Sequence, residues 1–189
     1  MPELLTAIGL CAWLLAAVVT DLRSRRIPNW LVGGGMLCGL AVQAAAPSGM
    51  GLFHFWWGGL GIGTALLGLL AGLALFLPLH LLRILGAGDV KLLAMVGVWV
   101  GPRLVIGTAL LTLLAGGLLA IVMMLGTRTA RRVLANVRVL LMTAFVGAQA
   151  GKPAPMDIAM TSGVRIPYAI AIAAGAIVQI GWLLTHAGP

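Results

Sequence analysis

The sequence predicts an all-α integral membrane protein with six transmembrane helices. Hydrophobic residues make up 61% of the 189-residue chain, only 8% of residues are charged, and the mean hydropathy is +1.12. A water-soluble domain of this length needs more polar surface. A transmembrane helix needs about 20 mostly apolar residues. The stretches that meet or approach this requirement are residues 3–20, 30–46, 53–82, 84–101, 103–125 and 166–184.

Each of these stretches is expected to be a helix, because the backbone must satisfy its own hydrogen bonds in a lipid core. The continuous runs of Leu, Ala and Gly do not alternate as the strands of a membrane β-barrel do. The second stretch follows Pro28, and the third is over-long and contains Pro78. We expect the chain to form one membrane domain over residues 1–189.

The basic residues predict the orientation. If the N-terminus lies outside, the first, third and fifth connectors, together with Lys91 near the start of the fourth stretch, hold eleven of the twelve basic residues, and only Arg103 lies on the other side. Cytoplasmic connectors carry such an excess of Lys and Arg. Both termini are therefore expected outside. The segment 1–20 is expected to be retained, because its basic cluster follows the apolar run.

The long connector 126–165 contains a predicted amphipathic helix. Its arginines recur at helical spacing, and apolar residues fall largely on the other side, which predicts a helix on the inner membrane surface that binds anionic lipids. The alternative is a seventh, buried half-helix, since the apolar part 139–148 is too short to span. The arginines are Arg128, Arg131, Arg132 and Arg138.

Composition argues against several classes of function. The net charge of +8 comes from residues in short connectors rather than on one soluble face, so nucleic-acid binding is not expected. Cys11 and Cys38 are isolated within apolar runs, and the sequence has no C-x-x-C motif. We expect no metal and no cofactor. The oligomeric state is left open.

Two of the four acidic residues fall at the same predicted membrane face. Asp21 ends the first stretch, and Asp89 lies at or just below the boundary where the fourth begins. Ionisable groups at such depth usually face a bundle interior or a water-filled cavity. The structural alternative is an ion pair at the interface, between Asp21 and a nearby arginine or between Asp89 and Lys91 or Arg83.

Gly86 and Gly88 immediately precede Asp89 in "GAGDVKLLA". Glycine allows positive φ angles and the close approach of another chain. This pattern favours a pliable, water-accessible segment beside the Asp89 carboxyl group.

Two carboxyl groups that meet in a partly desolvated site share one proton. One then acts as general base on water while the other polarises a carbonyl group, which is the chemistry of peptide-bond hydrolysis. Two rival functions stay open: a proton relay in a small transporter or channel, and a membrane assembly subunit without catalysis.

Two motifs give the chain a family resemblance. "DLRSRRIPNWL" contains Asp21, Ile27, Pro28 and Asn29, and "GAGDVKLLA" contains Gly86, Gly88, Asp89 and Lys91. Together they resemble the type IV prepilin leader peptidases, bacterial membrane enzymes with a GxGD motif. "RIPYAIAIAAG" at residues 165–175 is similar to the last helix of that family.

The resemblance implies an Asp21/Asp89 catalytic pair that removes prepilin leaders at the cytoplasmic face of the inner membrane. Gly86, Gly88, Lys91, Pro28 and Asn29 would support the motifs. Larger members carry a cysteine-containing region that methylates the new N-terminus. Only nine residues separate Thr20 from Trp30 here, so the chain resembles the short, peptidase-only type of Flp/Tad pili. Lys91 and the first-loop arginines are candidates to hold an aspartate ionised or to bind an acidic substrate residue.

Overall fold

The computed structural model describes residues 2–45, 61–82, 84–126 and 168–186. All regular structure in these ranges is helical, which confirms the all-α prediction. The helices are α1 (Pro2–Ser24), α2 (Asn29–Ala45), α3 (Ile62–Leu81), α4 (Ala87–Gly126) and α5 (Tyr168–His186).

Three helical segments are long and apolar enough to cross a membrane: Thr6–Ser24, Ile62–Leu81 and Ala87–Met123. The apolar part of α5, Tyr168–Leu183, is shorter, and α2 has 17 residues. Many large apolar side chains on these helices are exposed, including Leu15, Leu37 and Leu114. An outer surface of this kind suits contact with lipid chains. The predicted number of six spans and their orientation stay predictions.

Helix α4 has 40 residues but is not continuous in geometry. Gly101 has φ 80° and ψ 173°, which is outside the helical region, and Pro102 follows it. Proline cannot donate the backbone hydrogen bond that a helix interior requires. The break coincides with the predicted boundary between the fourth and fifth stretches. The predicted start at Ile84 was three residues early, because Ala87 is the first helical residue.

The chain divides into two compact units. The first comprises Met1–Gly116 with Pro167–Pro189, and the second comprises Gly117–Ile166, of which the structure describes only 117–126. Within the first unit, α1 packs against α2 and α5, and α2 packs against α3.

The core of the first unit is built around the early part of α4, where residues 92–100 are all buried. Trp99 ties this segment to α2 through two hydrogen bonds. Its indole Nε1–H donates to Gly35 O at 2.9 Å, and its carbonyl oxygen accepts from Gln43 Nε2 at 2.8 Å. Buried polar groups need such partners in an apolar surrounding.

Glycines bring α3 and α4 into backbone contact. A Cβ atom on Gly68 would collide with the carbonyl oxygen of Gly97, and one on Gly72 would lie 2.8 Å from Leu93 O. Small residues permit this close approach between membrane helices. The contact fixes the position of α4, and therefore of the residues at its N-terminus.

Several predicted features lie outside the described residues. They are the amphipathic helix with Arg128, Arg131, Arg132 and Arg138, the connector that contains Asp157, and residues 53–60 of the third predicted stretch.

Candidate active site

Asp21 lies in the last turn of α1 and is buried, with 9% of its surface exposed. Its Oδ2 atom has no hydrogen-bond donor among the described residues. The helix ends directly after it: Arg25 adopts a left-handed φ of 52°, and its backbone N–H donates to Asp21 O at 2.8 Å. The negative end of the helix dipole disfavours a carboxylate at this position. Asp21 is therefore held where the backbone does not stabilise its charge.

Asp89 lies in the first turn of α4 and is partly buried. Its Oδ2 accepts a hydrogen bond from the backbone N–H of Gly86 at 3.2 Å. In return, Gly86 O accepts from the backbone N–H of Asp89 at 3.1 Å. An acidic side chain that reaches back to the residue preceding the helix satisfies an otherwise free N–H group, as in a capping box. The positive end of the helix dipole also favours a carboxylate here.

The connector before Asp89 is anchored to the end of α3. The ring Nδ1 of His80 lies 2.9 Å from Leu85 O, and Leu85 itself is buried. A carbonyl oxygen can only accept, so Nδ1 is the donor. This bond holds the chain one residue before Gly86, whose N–H contacts the Asp89 carboxyl group. His80 lies outside both sequence motifs, so the motifs do not predict this contact.

The two sequence motifs meet in the first unit. The charge of Asp21 acts electrostatically on Asp89, so the two carboxyl groups are close enough to influence each other. A Cβ atom on Gly88 would lie 3.4 Å from the Cβ of Ile27. The Lys91 ammonium group donates to Asn29 Oδ1 at 3.0 Å. Residues far apart in sequence thus form one end of the helix bundle.

Gly86 and Gly88 were expected to allow either a positive φ angle or the close approach of other atoms, and the structure shows only the close approach. Neither Gly86 nor Gly88 has a positive φ, and Gly101 is the one glycine in the described ranges that does. Close approach is the property observed: a Cβ atom on Gly86 would lie 3.1 Å from Asp89 Oδ2. A Cβ atom at Gly86 would crowd the carboxyl group, whereas one at Gly88 would make an ordinary van der Waals contact with Ile27.

Tyr168 is a polar neighbour of this site that sequence reasoning missed. Its ring packs edge-on against Phe76, with centroids 6.4 Å apart, and its hydroxyl group faces Gly116. The charge of Asp89 acts on this phenol. Tyr168 begins α5, so the available signal was the only tyrosine of the chain at the start of an apolar helix.

A model of the type IV leader peptidase family matches residues 8–121, which is more than half of the chain. The chain belongs to the type IV leader peptidase family. Neither a curated protein nor a solved structure matches it. Membership implies a membrane protease whose substrates are prepilins.

The matched range of this leader peptidase contains both aspartates and all the motif residues, from Asp21 to Lys91. Tyr168 and the rest of α5 lie beyond it. Within the described ranges, no group of three or more His, Cys, Asp or Glu side chains is placed to hold a metal ion. The acid–base groups that the leader peptidase brings together at this end of the bundle include two carboxyl groups, the Tyr168 phenol and the His80 imidazole.

Proposed function

We propose that the protein is an aspartic endopeptidase in which Asp21 and Asp89 activate water to remove the leader of type IV, Flp-like prepilins. One observation carries the proposal: a buried Asp21 carboxyl group, whose Oδ2 has no described donor, lies at the end of the bundle where the contacts Asn29–Lys91 and Ile27–Gly88 join the two aspartate segments. Burying a polar group without a partner costs free energy. Because this oxygen lowers stability without a described structural partner, its presence in a peptidase is best explained by a role in catalysis.

In the proposed reaction the two carboxyl groups share one proton. The ionised carboxylate removes a proton from a water molecule, whose oxygen attacks the scissile carbonyl carbon. The protonated partner donates a hydrogen bond to the carbonyl oxygen as negative charge develops there. The C–N bond of the tetrahedral intermediate then breaks, and the leaving amine takes up the proton that the general base removed from water. Both carboxyl groups return to their starting state.

The proposed substrate approaches from the cytoplasm. The first and third connectors, which adjoin Asp21 and Asp89, carry basic residues that favour the cytoplasmic side. A prepilin leader lies on that side before its hydrophobic helix enters the membrane. The proposal places the enzyme in the bacterial inner membrane with six spans. The break in α4 at Gly101 supports a proposed division there between the fourth and fifth spans.

Residues 1–189 are proposed to act as one peptidase domain without N-methyltransferase activity. The first connector is short, so it leaves no room for the cysteine-containing region of the larger members. Mass spectrometry of the mature pilin checks this: a free N-terminal amine is expected, and the added mass of one methyl group would contradict it. Arg128, Arg131, Arg132 and Arg138 are proposed to bind anionic lipids.

The deciding experiment is co-expression with a candidate prepilin. Wild type, Asp21→Asn and Asp89→Asn are compared by the shift of the pilin band on a gel, with Glu3→Gln and Asp157→Asn as acidic controls. We expect the controls to cleave normally and the two site variants to lose about 10²–10⁴-fold in rate. Cleavage by either site variant at the wild-type rate would exclude the dyad and favour a transporter or an assembly subunit.

A further inference from the structure

We infer that Lys91 and Asn29 form a positioning pair that fixes the two aspartate segments against each other. The inference rests on the proposed peptidase function and assigns these residues a role in it. The Lys91 ammonium group donates to Asn29 Oδ1 at 3.0 Å across 62 positions of sequence. Asn29 is the first residue of α2, and Lys91 lies at the end of the first turn of α4.

Burial does not require this bond. Both side chains are exposed, so each has access to solvent and neither needs the other to avoid an unsatisfied polar group. A hydrogen bond between two exposed side chains also adds little to the free energy of unfolding. We therefore expect the Lys91–Asn29 bond to act on the geometry of the site. It determines which residue of the first connector lies beside which residue of α4.

A second contact supports the same alignment. Gly88 faces Ile27, with an added Cβ only 3.4 Å from the Ile27 Cβ. From the contact Ile27–Gly88 to the contact Asn29–Lys91, the residue number increases in both segments, so the two segments are aligned in parallel at this point. Asp89 lies between the two contacting positions of α4. The pair thus limits movement of Asp89 relative to the connector that follows Asp21.

Pro28 stiffens the connector between the two contacting residues. Its ring restricts φ, and its carbonyl oxygen accepts hydrogen bonds from Leu31 N at 3.2 Å and Val32 N at 3.3 Å, in the first turn of α2. A rigid connector transmits the position of Asn29 to Ile27. The position of this short segment therefore depends on Lys91 at one end and on α1 at the other.

This role differs from that of a lysine that binds substrate. A positioning pair acts through the alignment of the two carboxyl groups, so its loss lowers kcat and leaves KM nearly unchanged. Misplacement of catalytic groups by about 1 Å costs on the order of 100-fold in rate. We expect roughly a 10- to 100-fold loss in kcat when either partner is removed. A lysine that binds an acidic substrate residue would instead raise KM.

The test compares Lys91→Met, Asn29→Ala and the double variant, using purified protein in detergent and a prepilin peptide. Methionine retains the length of lysine without its donor. Lys152→Met is the control, because Lys152 is the other lysine of the chain. We expect the two single variants and the double variant to lose the same amount of kcat, because all three lack one shared bond. Asn29→Asp retains an acceptor and should preserve activity, and Lys152→Met should behave as wild type.

Two results would overturn the inference: additive losses in the double variant, or a rise in KM for Lys91→Met that Asn29→Ala does not reproduce. An Asn29→Ala variant with the wild-type kcat would also overturn the inference. The peptidase function is judged separately by Asp21→Asn and Asp89→Asn in the same assay. If the wild type cleaves nothing, disulfide formation between Ile27→Cys and Gly88→Cys, in a Cys11→Ser/Cys38→Ser background, reports the alignment without catalysis. Slower disulfide formation in both Lys91→Met and Asn29→Ala supports the pair, and an unchanged rate excludes it.

Discussion

Asp21 and Asp89 carry the same functional group at opposite ends of their helices. Asp21 closes α1, where the helix dipole disfavours its charge, and one of its oxygens is buried without a described donor. Asp89 opens α4, where the dipole favours its charge, and it accepts a backbone N–H from Gly86. Asp89 Oδ2 thus has a backbone partner, whereas Asp21 Oδ2 has no donor among the described residues.

The comparison teaches how to weigh an acidic residue in a membrane protein. The position of Asp89 alone is explained by helix capping, which many helices use without any catalytic purpose. A buried oxygen without a described donor, such as Asp21 Oδ2, costs free energy of folding, so a role in function accounts for Asp21 better. The case for a catalytic dyad therefore depends more on Asp21 than on Asp89.

The largest expected effect is on catalysis. If the two aspartates act as one unit, the double variant Asp21→Asn/Asp89→Asn should be no slower than the slower single variant, because either loss already removes the mechanism. Single-turnover cleavage of a prepilin peptide measures this. A double variant that is slower by the product of the two single effects would show that each aspartate contributes independently.

The next largest effect is on the contact that positions α4, and with it Asp89. Gly68→Ala forces a Cβ atom into the carbonyl oxygen of Gly97. Overpacking of this kind costs about 1–3 kcal/mol of the free energy of unfolding. Thermal unfolding in detergent, followed by circular dichroism, measures the loss. Gly63→Ala on the same helix is the matched control, since no described atom lies within 4 Å of its added Cβ. Equal stability of the two variants would contradict the close approach.

A third prediction compares the same substitution at the two aspartates. Asp89→Ala removes the acceptor for Gly86 N–H and should lower the free energy of unfolding by about 0.5–2 kcal/mol. Asp21→Ala removes a buried carboxyl group whose Oδ2 has no described donor, so the protein should be equally or more stable. Both variants should be inactive. A larger loss of stability for Asp21→Ala would show that Asp21 is structurally paired and would remove the difference between the two sites.

The smallest expected effects are at the two glycines before Asp89. Gly86→Ala places a Cβ atom 3.1 Å from Asp89 Oδ2 and should displace the carboxyl group. Gly88→Ala makes an ordinary 3.4 Å contact with Ile27, and alanine favours the helix by about 0.5–1 kcal/mol. We expect the cleavage rate to fall several-fold more in Gly86→Ala than in Gly88→Ala. The reverse order would exclude Gly86 as the neighbour that sets the position of Asp89.

The sequence predicts the helices well because lipid restricts what an apolar segment can form. The all-α class follows from length and hydropathy, and the break near Gly101 coincides with the boundary drawn there. The start of α4 was placed at Ile84 because hydropathy does not register that Ile84 and Leu85 lie outside the helix, held by Leu79 and His80. Hydropathy therefore predicts where the chain enters lipid, whereas backbone hydrogen bonds determine which residue begins the helix.

The candidate site is only partly predictable from sequence. Sequence placed Asp21 and Asp89 at one membrane face through the charge distribution of the connectors, and the structure brings them within electrostatic reach of each other. The Lys91–Asn29 bond and the position of Tyr168 depend on how each helix is rotated about its axis. Rotation results from packing between helices, including the Gly68–Gly97 contact, and no single segment encodes it.

The unpartnered oxygen of Asp21 has a consequence for inhibition. A small molecule that offers a hydroxyl group to Oδ2 would gain a hydrogen bond without displacing one that the described residues already make. A similar group aimed at Asp89 Oδ2 would compete with Gly86 N–H. Compounds that mimic the tetrahedral intermediate with a secondary alcohol should therefore be oriented with that alcohol toward the end of α1.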